Sequence, residues 1–440
     1  MPYKKLFAAL AVAAVCPLVS AQDSAVQETA SQWSWGHRFE LRGNYRWSQD
    51  EQHRTNFPPQ PAPPAPQLPG METVDPGHHV ELNVADVQFD VGYGELFAAR
   101  AKVHGQALHR RNPTSDDRQI DADELWVRFG RKPEFLERPE GTTFFVQAGK
   151  FPKMERQPVR LLESYGLAAT AFNRFEDLQL LGGGTVGRNF YWRAQVANGN
   201  PLFIRDANAL AGDNGTDERL TNRVPEYKSG FPILYNAETE DLLLFNTDNL
   251  QIGEALGYRW QREDETLGFD AIVFHYRRDL ADTVELTGTR YGGDLDILSV
   301  GELSPAVTLP ISGRKKEEYG VRVYAEWHQA TVIAQVTAQE VAGLKREGWE
   351  LELGYRIPWT LGPIQSIQPA LRVSGLETHY RGAIFPSPSV WWEWAKLDAG
   401  VRIALPRGFD VTAEYTVHDI AAPLRPVAQR ETLVTVRWRV

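Results

Sequence analysis

Arginine and lysine gather on one parity of several short stretches of this sequence. "RFELRGNYRWS" carries Arg38, Arg42 and Arg46, "AARAKVHGQAL" carries Arg100 and Lys102, and "FYWRAQVANG" carries Arg193. Arg322, Arg356, Arg372, Lys396, Arg402, Arg437 and Arg439 fall on the polar parity of later windows. The anions of that parity are Glu40, Glu326, Glu350, Glu352, Asp398, Asp410 and Glu414, so cations outnumber them nearly two to one. A guanidinium is a flat, forked donor that fits carboxylate and phosphate. A row of such groups in a low-dielectric channel would focus the field and draw in small anions. Paired charges in an ordinary solvated lumen are the competing reading of the same positions.

Alternation is what would put those cations on one face. Phe39, Leu41, Tyr45 and Trp47 oppose the first three arginines, and the last residues, "ETLVTVRWRV", set Val434, Val436, Trp438 and Val440 against Thr435, Arg437 and Arg439. Period two is the strand signature, and ~9–11 tilted residues cross a bilayer. "YGVRVYAEWH", "GWELELGYRI", "AKLDAGVRIAL" and "FDVTAEYTV" repeat the pattern. The expectation is an all-β, transmembrane antiparallel barrel of about sixteen strands. Turns are expected at the glycines of "LLGGGTVG" and at "LPRGFD", and long loops at "NFPPQPAPPAPQLPG" and from Asn198 to about Asp241. Short turns alternating with long loops suit such a barrel. Trp33, Trp35, Trp359, Trp391, Trp392, Trp394 and Trp438 are expected in interfacial girdles.

The first residues, "MPYKKLFAALAVAAVCPLVSAQ", have a basic head, an apolar run and small residues, the anatomy of a secretory signal peptide. This divides the chain into a signal at 1–21 and a barrel domain at 22–440. Cys16 is the single cysteine, so the mature chain would hold no disulfide and no thiolate metal site. No stretch offers ~18 consecutive apolar residues. The net charge of -10 argues superficially against an anion pore, but the acidic excess lies in loop segments such as "SQDEQ", "AGDNGTDE", "NAETED" and "REDET". A soluble exported β-protein that binds a partner would also alternate, with less need of a patterned last strand.

Other chemistry finds little support. There is no Gly-x-Ser-x-Gly elbow, and no catalytic residues are expected. Asp206, Asp213, Asn214, Asp217 and Glu218 could ligate calcium but lack EF-hand spacing, so a solvated acidic loop is the expectation. His78 and His79 have no supporting ligands, and "GGGTVG" lacks the Lys-Ser/Thr of a phosphate loop. No metal, cofactor or nucleic acid is expected.

The segment "FFVQAGKFPKMERQPVRLLESYGLAATAFNRFEDLQLLGG" resembles the phosphate-selective porin O/P family of Gram-negative outer membranes, through Gly149, Lys150 and Phe151 and then Met154, Glu155 and Arg156. Gly348, Trp349 and Glu350, and Gln368, Pro369 and Arg372, are similar to two later strands of that family. The sequence departs from it at Glu163-Ser164, where a Glu-Arg pair is usual, and at the terminal Val440, where Phe is usual. The resemblance implies a trimer of sixteen-stranded barrels, passive diffusion of phosphate-like anions, and arginine ladders leading to an inward-folded loop. It puts Lys150, Lys153, Arg156, Arg160 and Arg174 at that constriction. A weakly selective or sugar-type pore is the alternative. The implied partners are outer-membrane lipid and lipopolysaccharide, the barrel assembly machinery that reads the last strand, small anions and two further copies of the chain.

Overall fold

The computed structural model describes residues 33–49, 77–107, 120–157, 159–172, 176–198, 250–280, 312–380, 392–421 and 427–440, with short strand fragments between them. The signal segment, Arg174, Trp391 and the 206–218 acidic loop lie outside the described residues. The barrel strands are β1 (Trp33–Ser48), β2 (Gly77–Tyr93), β3 (Phe97–Ala107), β4 (Ile120–Gly130), β5 (Thr143–Pro152), β6 (Glu176–Val186), β7 (Phe190–Ala197) and β8 (Gln251–Gln261). The second half holds β9 (Leu267–Asp279), β10 (Lys315–Trp327), β11 (Ala330–Val341), β12 (Leu344–Tyr355), β13 (Ser366–Thr378), β14 (Trp394–Ala404), β15 (Phe409–Ile420) and β16 (Val427–Arg439). One short helix, α1 (Leu167–Ala171), follows β5.

Each strand pairs antiparallel with its sequence neighbours, and β16 returns to β1 in a register running from Glu40 opposite Arg439 to Ser48 opposite Glu431. The result is a closed barrel of sixteen strands with no free edge. This closure is why the last residue is patterned: Phe39 and Val440 exchange backbone hydrogen bonds at 2.9 and 3.0 Å. Side chains alternate through the wall. Phe89, Leu125, Val127, Leu256, Val273, Val336 and Val436 are exposed on the outside, while Arg322, Glu350, Arg372, Asp398 and Glu414 are buried within. The core of this protein is therefore polar and its surface belt apolar, the reverse of a soluble sandwich. No helix of the described residues is long and apolar enough to cross a membrane.

Three expectations need correction. Gly182, Gly183 and Gly184 are inside β6, and the turn comes later, at 187–189. Trp392 and Trp394 are not in a girdle; they are buried with Leu167, Ala171, Phe172, Leu376 and Ile420, because α1 enters the barrel and needs an apolar seat. Short and long connections do not alternate strictly. Ala342 and Gly343 close a tight hairpin at the long-loop end, both with positive φ, and twelve residues, 131–142, intervene between β4 and β5 at the short-turn end.

Candidate functional site

The segment after β5 is rich in apolar residues: Leu161, Leu162, Leu167, Ala168, Ala171 and Phe172 are all buried. It folds into the barrel and lies against the inner face of β9–β16. Wall glycines make room for it. A Cβ at Gly354 would come within 2.7 Å of Leu161, and one at Gly400 within 2.7 Å of Leu162.

An irregular segment has no partner strand, so its backbone polar groups need other partners. Charged wall residues supply them. Glu352 on β12 accepts from the N–H groups of Leu161 and Leu162 at 2.9 and 3.0 Å, and Glu414 on β15 accepts from those of Glu163 and Ser164. Glu350 accepts from Ala169 N–H at 3.3 Å and from the Gln157 amide at 3.0 Å. The carbonyls are taken by cations: Arg322 donates to Arg156 O at 2.7 Å, Arg346 to Ala171 O at 2.7 Å, Arg372 to Ser164 O at 2.9 Å, and Lys396 to Tyr165 O at 2.6 Å. Wall carboxylates thus stand in for strand carbonyls, and wall cations for strand N–H groups.

At the tip of the segment, four guanidiniums converge on one carboxylate. Glu163 pairs with Arg402 at 2.6 Å, Arg437 at 3.0 Å, and Arg42 and Arg160 at 3.2 Å. Burial would raise the Glu163 pKa, but these arginines, Arg42 foremost, hold it well below the usual carboxylate range. Arg402 also donates to Arg160 O, and Arg437 pairs with Asp410 at 2.7 Å. Arg160 is 27 % exposed and stacks over Tyr165 at 4.2 Å. Arg156, paired with Glu176, is 42 % exposed. Lys153 is buried, with Glu318 at 3.5 Å and Phe172 O at 3.2 Å. Glu155 is buried beside Lys153, Glu318 and the Tyr276 hydroxyl, and burial, the largest influence, pushes its carboxyl up to about 7.

The remaining predicted cations lie elsewhere on the wall. Arg38 is exposed at the start of β1. Arg46 is buried with Glu81 and Glu431 at 3.4 and 3.9 Å. Arg100 pairs with Asp90 at 2.7 Å and Glu124 at 3.4 Å, and Lys150 with Asp121 at 2.8 Å. Lys102 sits 2.8 Å from both Asp86 and Asp123. Asp86, His104 and Asp123 bring ligand atoms within 4.8 Å of one another, and the Lys102 ammonium already lies where a cation would be drawn. Arg193 has aromatic neighbours, over Phe145 and Tyr191 at 4.9 Å each.

Several inward charges escaped the sequence reading. Glu81, Asp86 and Asp90 line β2, and Asp121, Asp123 and Glu124 line β4. A register shift between Leu82 and Ala85, and another opposite Lys102–Val103, break the alternation that would have shown them. The cation surplus of the clearest windows therefore does not extend around the barrel. It survives at the short-turn mouth, where a cavity of about 480 Å3 is lined by Arg160, Arg356 and Arg402 against Glu326. A neighbouring cavity of about 350 Å3 shares Arg356 and Arg402 and adds Arg407, Arg437 and Arg439 against Asp410.

Arg259 was missed too; it holds the 131–142 segment through the carbonyls of Glu134 and Glu137 at 3.0 and 3.1 Å. Leu136 of that segment joins Leu161 and Leu162 in one buried cluster, so the two infolded connections meet inside the barrel.

No family model and no curated protein matches the sequence. Solved structures do match in fold. OprB of Pseudomonas putida, in its high-pH structure, is 8% identical, with a TM-score of 0.54 over 92% of this chain and 94% of that one. OmpF of Salmonella typhi, in complex with daunomycin, is 8% identical, with a TM-score of 0.50 over 92% of this chain and 97% of that one. At such identity the likeness is one of barrel architecture.

Proposed function

We propose that this protein is an outer-membrane porin, a water-filled and non-enzymatic channel through which small anions diffuse passively. One observation carries the reading: a closed barrel with an apolar outer belt and a charged interior, partly filled by an infolded segment that carries the partly exposed Arg156 and Arg160. The outer belt suits lipid, the long-loop end lipopolysaccharide, and the patterned last strand the barrel assembly machinery. The short-turn end would face the periplasm. Anion preference is supported by the arginines of the eyelet and mouth, Arg160, Arg402, Arg356, Arg407 and Arg439. Phosphate as the solute and assembly as a homotrimer come from the family resemblance of the sequence, and export after cleavage of residues 1–21 from the basic head, apolar run and small residues of that segment.

A weakly selective pore is the second reading, favoured by the paired charges of β2–β5. Reversal potential in a planar bilayer across a potassium chloride gradient separates the two. Preference for chloride is the expected result; preference for potassium would overturn the anion reading. Membrane fractionation and heat-modifiable gel mobility test the barrel in its membrane.

A further inference from the structure

Glu163 makes an unusual use of four arginines. Arg42 comes from β1, Arg402 from β14, Arg437 from β16 and Arg160 from the infolded segment itself, and all reach the same buried carboxylate. A cluster of guanidiniums at this spacing is what a carboxylate or phosphate ligand requires. Here the ligand belongs to the chain. The backbone N–H groups of Glu163 and Ser164 are fixed separately by Glu414, so the segment does not depend on the Glu163 side chain alone for its place. Glu40, 2.6 Å from Arg42, and Asp410, 2.7 Å from Arg437 and 3.9 Å from Arg402, also touch these arginines. Arg439 shares both, 4.0 Å from Glu40 and 3.5 Å from Asp410, so five guanidiniums meet three carboxylates here, and without Glu163 five would meet two.

We infer that Glu163 is a tethered anion that sets the anion affinity of the pore. It fills the four-guanidinium cradle and leaves a passing solute the outer faces of Arg160, Arg402 and Arg437, which border the two cavities at the short-turn mouth. Anions are attracted to the eyelet without being trapped there, as diffusion through it requires. The cradle is a latent site for a tetrahedral or planar oxyanion. This inference rests on the reading of the barrel as a pore.

The test is single-channel recording of wild type, Glu163→Gln and Glu163→Asp with inorganic phosphate as the probe. Glu163→Gln should shift the reversal potential toward anion preference and lower the half-blocking phosphate concentration by about tenfold or more, the scale of one charge-assisted hydrogen-bonded pair gained. Glu163→Asp, which keeps the charge, should shift both readouts less than Glu163→Gln does. Assembled Glu163→Gln channels that match wild type in both readouts would overturn the inference. Wild type alone gives a second test that no folding defect can blunt. Millimolar or weaker phosphate block agrees with a filled cradle, and submillimolar block contradicts it. The sign of the wild-type reversal potential tests the anion reading, whereas the shift between variant and wild type tests Glu163, so the two can fail separately.

Discussion

On the inner face of β9–β16, charged side chains lie beneath the infolded segment; on β2–β5, similar side chains face the lumen. Arg372 is 1 % exposed and Arg100 is 31 % exposed, yet both pair with two carboxylates on neighbouring strands. Under the segment, the pairs also hold backbone: Arg372 binds Ser164 through both carbonyl and hydroxyl, and Glu352 binds two N–H groups. On the open wall, the pairs hold mainly each other. Position in the barrel, rather than residue type, decides whether a lumen charge is an anchor or part of the aqueous lining. An arginine counted toward selectivity from its parity can be spent entirely on architecture.

The largest difference should appear on removing one cation from each wall. Arg372→Ala leaves Glu352 without its guanidinium and Asp398 with Lys396, 3.1 Å away, as its cation and the Thr416 hydroxyl at 2.6 Å, all out of water. Breaking a buried pair from one side costs on the order of 3–5 kcal/mol. The loss of Ser164 anchoring should also let the segment move, so open-channel conductance should rise and become noisier. Unfolding followed by heat-modifiable mobility gives the stability, and bilayer recording gives the conductance. Wild-type values of both would mean that the apolar seats of Leu161, Leu162 and Phe172 hold the segment by themselves.

The next effect is a pH response of the infolded segment. Docking raises the Glu155 carboxyl from 4.5 to about 7, through burial first and the Glu318 charge in addition, while Lys153 opposes. A carboxyl raised on docking binds its proton more readily when docked. Its contribution is therefore most favourable below about 4.5 and is lost as pH rises through 7, a change of roughly 3 kcal/mol at most. Glu163 has the opposite sign. Its depressed pKa makes its contribution full above the ordinary carboxylate range and lost only in strong acid, so it stays constant from pH 8 to 5. Lys153, raised on docking, also keeps its charge over this range. Current noise from segment motion should thus fall from pH 8 to pH 5, and Glu155→Gln should weaken the dependence. Equal noise at both values in wild type would place Glu155 outside the docking equilibrium.

The barrel was legible because alternation is a local signal, strong wherever both faces of a strand are uniform. β1, β14 and β16 read directly from "RFELRGNYRWS", "AKLDAGVRIAL" and "ETLVTVRWRV". β2 and β4 hid their acids because an extra residue at a bulge reverses parity partway along. The infolded segment was suggested by resemblance and by its cations, but its partners were not legible at all. The Glu163–Arg437 pair spans 274 residues in sequence, and no periodicity links them. Trp392 and Trp394 misled for a related reason. An aromatic at a strand end looks the same whether it meets lipid or a helix packed inside, and only the placement of α1 decides.

The smallest effect sharpens the comparison most. Arg100→Gln removes a half-exposed cation from the open wall. Asp90 keeps the Gln88 amide at 2.6 Å, and Glu124 keeps the Trp126 indole N–H at 2.9 Å, so neither carboxylate is stranded. Partly exposed pairs contribute about 0–1 kcal/mol, and stability should scarcely change. Selectivity should move slightly toward cations in about 0.1 M salt, where charges are felt over ~10 Å, and return to wild type near 1 M, where the reach is ~3 Å. Arg160→Gln at the eyelet should produce the larger shift under the same conditions, since its guanidinium borders the mouth cavity and faces Glu163. Reversal potentials of the two variants at both salt concentrations measure the contrast. A shift from Arg100→Gln as large as that from Arg160→Gln would mean that ions travel along β2–β5 and are selected there, and the open wall would then be the selective one.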